Sequence, residues 1–136
     1  MIKKNNPSVD RLNFFLLADY AFLSADNKLG VIGIFEIFNV LNFPTKLSKF
    51  FVVTNLDLKP GKREIEIRIF DPLNKEIIPL GKKGIQIEGG RRVNTITDIN
   101  FLPIKQEGFF TVSLIIDGQK IDEKKIEVKL LKNKIN

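Results

Sequence analysis

The sequence predicts an all-β fold, a two-sheet antiparallel β-sandwich of immunoglobulin-like or related topology with about eight strands. Three observations carry that expectation. The apolar segments are short, rich in Ile, Val, Phe and Thr, and separated by turn residues at close spacing. None keeps a helical period over the ~11–18 residues on which a helix would be read. Several alternate between apolar and polar residues, the pattern of a strand with one wet face.

Residues 1–10 are polar with one proline and read as a flexible lead-in arm. Residues 11–131 read as a single domain, and 132–136 as a basic tail. The first apolar run, Phe14 to Leu23, is interrupted by Asp19. A polar break from Ser24 to Lys28 separates it from a second run, Leu29 to Leu41. The pair reads as a buried hairpin turning at Asp26-Asn27-Lys28, with Asp19 as its buried polar anchor. Phe50 to Leu58 follows. These three segments are apolar on both alternate faces, which is expected of central, doubly covered strands or of a subunit contact.

Arg63 to Phe70 alternates cleanly, with Ile65, Ile67 and Ile69 on one side and Glu64, Glu66 and Arg68 on the other. It lies between two turn sequences, Lys59-Pro60-Gly61-Lys62 and Asp71-Pro72-Leu73-Asn74. Ile77 to Leu80 reads as a short return strand, placed at an edge by Pro79. Ile85 to Glu88 alternates until Gly89-Gly90 break it, and Val93 to Leu102 is a more polar strand closed by Pro103. Phe109 to Ile116 turns at Asp117-Gly118, a two-residue turn of the kind that tightens a hairpin. On the return strand, Ile126, Val128 and Leu130 are one residue out of step with Ile121. A one-residue slip turns every side chain to the other face, so a β-bulge or bend is expected within Asp122 to Lys125.

Composition narrows the chemistry. A chain of 136 residues is long enough to bury one core. It has no cysteine, hence no disulfide and no thiolate metal ligand. It has no histidine, which removes the usual neutral-pH base and every Ser–His or Cys–His pair. The net charge of +6 is concentrated in Lys82-Lys83, Arg91-Arg92 and the stretch from Lys124 to Lys134. A basic surplus of this kind attracts nucleic acid or serves as a lysine-rich surface that keeps edge strands apart. No run reaches the ~18 apolar residues that a bilayer span needs. Lys3-Lys4 before an apolar stretch resembles a secretory signal, but Asp10-Arg11, Asn13 and Asp19 interrupt that pattern. The segment is therefore expected to be mature structure in a cytoplasmic protein.

The order Leu17-Ala18-Asp19-Tyr20-Ala21, Asp26 to Leu29, Val31 to Phe35 and Phe43-Pro44, continued by Phe51-Val52-Val53, Ile69 to Pro72, Phe101-Leu102-Pro103 and Gly108-Phe109-Phe110 leading to Asp117-Gly118, resembles an uncharacterised prokaryotic family of short β-sandwich domains. The resemblance covers most of residues 14–130. It implies a fold and no activity. Where such domains often carry a tyrosine entering the penultimate strand, this chain has Phe110, so a tyrosine-corner hydrogen bond is not expected.

Asp19 beside Tyr20 is the one carboxylate in an apolar setting. A desolvated carboxylate can serve as acid or base, but a structural role is the commoner outcome, and no histidine or second carboxylate stands nearby. Asp26, Asp57, Asp71, Asp98, Asp117 and Asp122 lie singly beside turn residues, without the spacing of a calcium loop. Lys82, Lys83, Arg91 and Arg92 flank a short strand between glycine turns and are the candidate anion-binding residues. Phe38, Phe43, Phe50 and Phe51 exceed simple core needs and are the candidate interaction patch. With no Trp and one Tyr, a sugar platform is not expected. The chain is thus expected to be a non-catalytic interaction or assembly domain, without cofactor, metal or small-molecule ligand, joining a protein partner or a second copy. Nucleic-acid or polyanion binding through the basic turns and tail is the alternative, and a carboxylate enzyme built on Asp19 a more remote one.

Overall fold

A computed structural model describes residues 10–77, 81–89 and 91–131, and over these residues the chain is all β, with no helix. The strands are β1 (Arg11–Leu23), β2 (Leu29–Ile34), β3 (Ile37–Val40), β4 (Thr45–Lys46), β5 (Phe50–Leu58) and β6 (Gly61–Phe70). They are followed by β7 (Lys82–Ile87), β8 (Arg91–Ile99), β9 (Pro103–Ile104), β10 (Gly108–Ile116) and β11 (Gln119–Leu130). Eight of the eleven are six residues or longer; β3, β4 and β9 are short additions that the sequence reading did not separate.

One sheet runs β2-β1-β5-β8 and a second runs β3-β11-β10-β6-β7, while β4 and β9 form a small third pair. All pairings are antiparallel except β3 with β11. The alternation of β6 is realised as expected: Ile65, Ile67 and Ile69 are buried with Phe110, Val112, Leu114 and Ile116 of β10. Phe15, Leu17, Phe50, Val52, Leu56, Leu58 and Ile99 of the four-stranded sheet join the same continuous core. Strand β5 is buried along almost its whole length because it is paired on both sides. Inside it, the Thr54 and Thr95 hydroxyls satisfy each other across the β5–β8 pair.

The expected central hairpin is only half central. Strands β1 and β2 do turn where predicted, with Asn27 at φ 62 in the turn. However, the apolar run Leu29 to Leu41 is not one strand. It breaks at Phe35-Glu36 and crosses from the edge of one sheet to the edge of the other, as β2 and then β3. The last hairpin turns at Asp117 (φ 51) and Gly118 (φ 81), the positive angles that a two-residue turn demands. The bulge exists but sits one residue before the predicted window: Leu114 pairs Asp122 while Ile115 pairs Lys120, leaving Ile121 extra. Of the expected strand Ile77 to Leu80, residues 78–80 lie outside the described residues, as do most of the arm and the tail. Asp10, assigned to the arm, belongs to the folded body, where it is bonded to Arg63.

Candidate functional site

The two larger sheets present four edge strands of two contrasting kinds. Strand β2, at one end of the four-stranded sheet, is Leu-Gly-Val-Ile-Gly-Ile and carries no charge; Lys28 and Glu36 flank it. Strand β3, the next in sequence, is the edge of the five-stranded sheet and is equally uncharged. The far edges are β7, which begins Lys82-Lys83, and β8, which begins Arg91-Arg92. Edge strands expose unpaired N–H and C=O groups, and charged side chains are the usual means of keeping other chains off them. Of these four edges, β7 and β8 are protected in this way, and β2 and β3 are not.

The uncharged edge is also apolar on its surface. Tyr20 stands opposite Ile32, and Ala18 opposite Ile34. Tyr20, Phe22, Ile32 and Ile34 are 51%, 40%, 58% and 60% exposed. The Tyr20 ring meets Phe51 edge-on at 5.6 Å and lies 5.7 Å from the ring of Phe22. Beneath them the same face continues inward through the cross-strand row Leu16–Val53–Ile96. Lys49 rims the patch, its ammonium 5.2 Å from the Phe51 centroid and 3.5 Å from Asp98. Around the corner, Ile37 and Leu41 are exposed as well.

Asp19 is exposed rather than buried, which corrects the expected polar anchor. The reason lies across the hairpin, where Gly33 holds φ +72 and a Cβ built on it would come within 2.9 Å of Asp19 Cγ. The missing side chain leaves room for the carboxylate at the surface. The predicted aromatic patch is also corrected. Phe50 is fully buried, and Phe38 and Phe43 pack against the main core. Phe35, Phe38 and Phe50 form one aromatic cluster with centroids 4.5 to 5.7 Å apart. Phe51 is buried too, but it lies beside the exposed apolar edge, under Tyr20.

The basic residues do not converge. Lys82-Lys83 begin β7, whereas Arg91-Arg92 begin β8 in the other sheet and follow the far end of β7 at Ile87, about 13 Å of strand from Lys83. Lys82 faces Glu64 at 3.7 Å, and Arg92 bonds Asp57 at 2.9 Å, where Arg11 also donates at 2.8 Å. The Arg92 hydrogen bond, with Arg11 and Asn13 adding to it, holds the Asp57 carboxyl well below the usual range. The other turn aspartates are likewise engaged one by one: Asp26 with Ser24 and Lys28, Asp71 with the N–H groups of Leu73 and Lys75, Asp98 with Lys49 and Asn100, and Asp122 with the N–H of Glu123.

The constellation that sequence reasoning missed is structural. Arg63, whose side chain is 8% exposed, donates through its terminal nitrogens to both carboxylate oxygens of Asp10 at 2.9 and 2.6 Å, and through Nε to Asp117 at 2.7 Å. Asp117 also accepts the Glu64 N–H at 2.9 Å, and Asp10 accepts the Lys59 N–H at 2.9 Å. The start of β1, the β5–β6 turn and the β10–β11 turn are thereby clasped together. The Arg63 hydrogen bond draws the Asp10 pKa down to about 2 from 3.8, against the opposing effect of burial. The pH dependence follows. This contribution is fully present above the unfolded value of 3.8 and is lost as pH falls toward about 2. It amounts to about 2 kcal/mol. Urea unfolding at pH 7, 4 and 2.5 should show the loss, and Asp10→Asn should remove that part of the acid sensitivity. An unchanged acid limb in the variant would contradict the clasp.

A model of a family of unknown function, DUF6941, matches residues 13–129. No curated protein matches the chain in sequence. Among solved structures it resembles β-glucosidase from Listeria innocua in complex with isofagomine, at 11% identity and a TM-score of 0.51, over 87% of this chain and 17% of that one. The same enzyme in complex with glucose matches at 10% identity and a TM-score of 0.52, over 85% and 16%. The chain thus spans less than a fifth of that enzyme's length, and at such identity the likeness concerns the fold alone.

Proposed function

The chain belongs to DUF6941, a family of unknown function, and we propose that it is a non-catalytic interaction or assembly domain that joins a second copy of itself through the β2–β3 edge. The fold reading behind this is a sandwich of immunoglobulin-like type, supported by the main core to which both larger sheets contribute. The observation that carries the functional reading is the uncharged, apolar edge at Leu29–Ile34, beside exposed Tyr20, Phe22, Ile32 and Ile34. The apolar surface of these four side chains is on the order of 400 Å². That is within the ~300–600 Å² of the largest patch on a typical monomer and about half of the ~800 Å² each partner gives to a standard interface, the remainder of which the open β2 backbone and the neighbouring β3 edge can supply.

The composition of the edge favours a second copy as its occupant. A chain with net charge +6 repels its own kind, yet β2 pairs with a two-fold mate without placing like charges opposite each other. Edges β7 and β8 lack that property. A polyanion-binding reading has less support, because Lys82 and Arg92 already face carboxylates on neighbouring strands.

Sedimentation velocity across a concentration range tests this. The wild type should shift to a dimer as concentration rises. Ile32→Lys with Ile34→Lys should weaken association by about 100-fold or more, since each lysine replaces ~1.5–3 kcal/mol of burial. Because both side chains are exposed in the single chain, the unfolding midpoint should hardly move. A wild type that stays monomeric throughout would overturn self-association.

A further inference from the structure

The outer face of the five-stranded sheet holds a groove of about 410 Å³ between β6, β10 and β11. Cross-strand pairing lays down its floor in rows: Phe70–Thr111–Lys125, then Arg68–Ser113–Glu123, then Ile115 beside Lys120. Ser113 and Thr111 are 3% and 9% exposed, yet both line the groove. We propose that this groove binds a small molecule through an oxyanion group, phosphoryl or carboxylate.

The hydrogen-bonding inventory points that way. Arg68 uses Nε on Glu66 at 2.9 Å, which leaves its two terminal nitrogens to form a bidentate pair with an oxyanion. Lys120 and Lys125 share one carboxylate, Glu123, at 2.8 and 3.7 Å, so one ammonium charge is left over. Lys125 also donates to Thr111 Oγ1 at 2.8 Å, which ties the cation to the floor. Glu76 acts on Arg68 only through space, as a weaker influence than Glu66. Capacity still open in the groove is thus mainly donor capacity, from guanidinium, ammonium, the Ser113 hydroxyl and the Asn74 amide. A ligand that fits it brings acceptors. Phe70 and Ile115 offer apolar contact to the remainder of such a molecule, and the volume lies within the small-ligand range. The sequence reading expected no small-molecule ligand; the polar positions of β6 and β10 looked like an ordinary wet face, and only the pairing register gathers them with Lys120 and Lys125.

The test is an amide-resolved NMR titration with inorganic pyrophosphate in one arm and succinate in the other, at fixed ionic strength. The expected result is saturable shifts at residues 111–115 and 120–125, with Kd below about 1 mM in one arm; the responding arm identifies the group. Arg68→Gln, and separately Lys125→Met, should weaken binding about tenfold or more, while Arg91→Gln on the distant β8 edge should not. Absence of saturation in both arms overturns the proposal. So does a loss with Arg91→Gln equal to that with Arg68→Gln, which is general charge attraction.

Discussion

Replacing Phe50 with alanine should lower the free energy of unfolding by about 3–5 kcal/mol, a large share of the ~5–15 kcal/mol that holds a domain together. The site has little means of closing over the lost ring. Phe50 is fully buried at the start of β5, a strand paired on both sides. Its ring lies 5.7 Å from both Phe35 and Phe38, so removal opens a cavity and also strips two aromatic contacts. Because Phe35 and Phe38 flank the β2–β3 crossover, the variant should also loosen that edge. Denaturant unfolding measures the first effect. A cost below about 1 kcal/mol would mean that this end of the core collapses freely, contrary to the packing described.

Arg63→Ala should cost about 2–3 kcal/mol. Removing one member of a buried ion pair costs up to ~3–5 kcal/mol, because the partner's charge is left uncompensated. Here the figure lies lower, since Asp10 and Asp117 are themselves 25% and 44% exposed and water reaches them. Arg63→Lys should recover less than half of the loss. One ammonium cannot serve three oxygens from two carboxylates in the planar arrangement that the guanidinium provides. Equal stability of the arginine and lysine forms would show that charge alone matters at this position.

These two residues also show what the sequence revealed and what it concealed. The alternation of Ile65, Ile67 and Ile69 predicted a strand with one inward face, and Arg63 shares that parity, a sign of its burial that the sequence reading did not take up. Its partners were not, because Asp10 and Asp117 are 53 and 54 residues away and only the assembled sheets bring them together. The Asp117-Gly118 turn and the register break after it were legible because both are local. Phe50 and Phe51 are neighbours on one strand and therefore point to opposite faces, so no single patch contains both. Phe51 alone leads to the exposed face, by way of Tyr20.

The run Leu29 to Leu41 was read as one buried element because it is mainly apolar, although Glu36 and Asn39 interrupt it. Its division falls at Phe35-Glu36, where the one charged residue of the run stands, but which strands lie beside each half is set by the assembled sheets and not by the run itself. The burial assigned to Asp19 failed for the same reason, since the glycine that gives it access to the surface is in the opposite strand. The contrast between an uncharged edge at β2–β3 and a basic one at β7–β8 became visible only once the strand order was known.

Amide hydrogen exchange of β2 as a function of protein concentration tests that edge most directly. Alternate amides of Leu29–Ile34 bond to β1, and the others point outward from the sheet. Self-assembly through β2 predicts that the outward amides gain protection as concentration rises, in step with the dimer seen by sedimentation, and lose it in the Ile32→Lys, Ile34→Lys variant. Outward amides that exchange rapidly at every concentration, or a dimer that forms without protecting them, would contradict it.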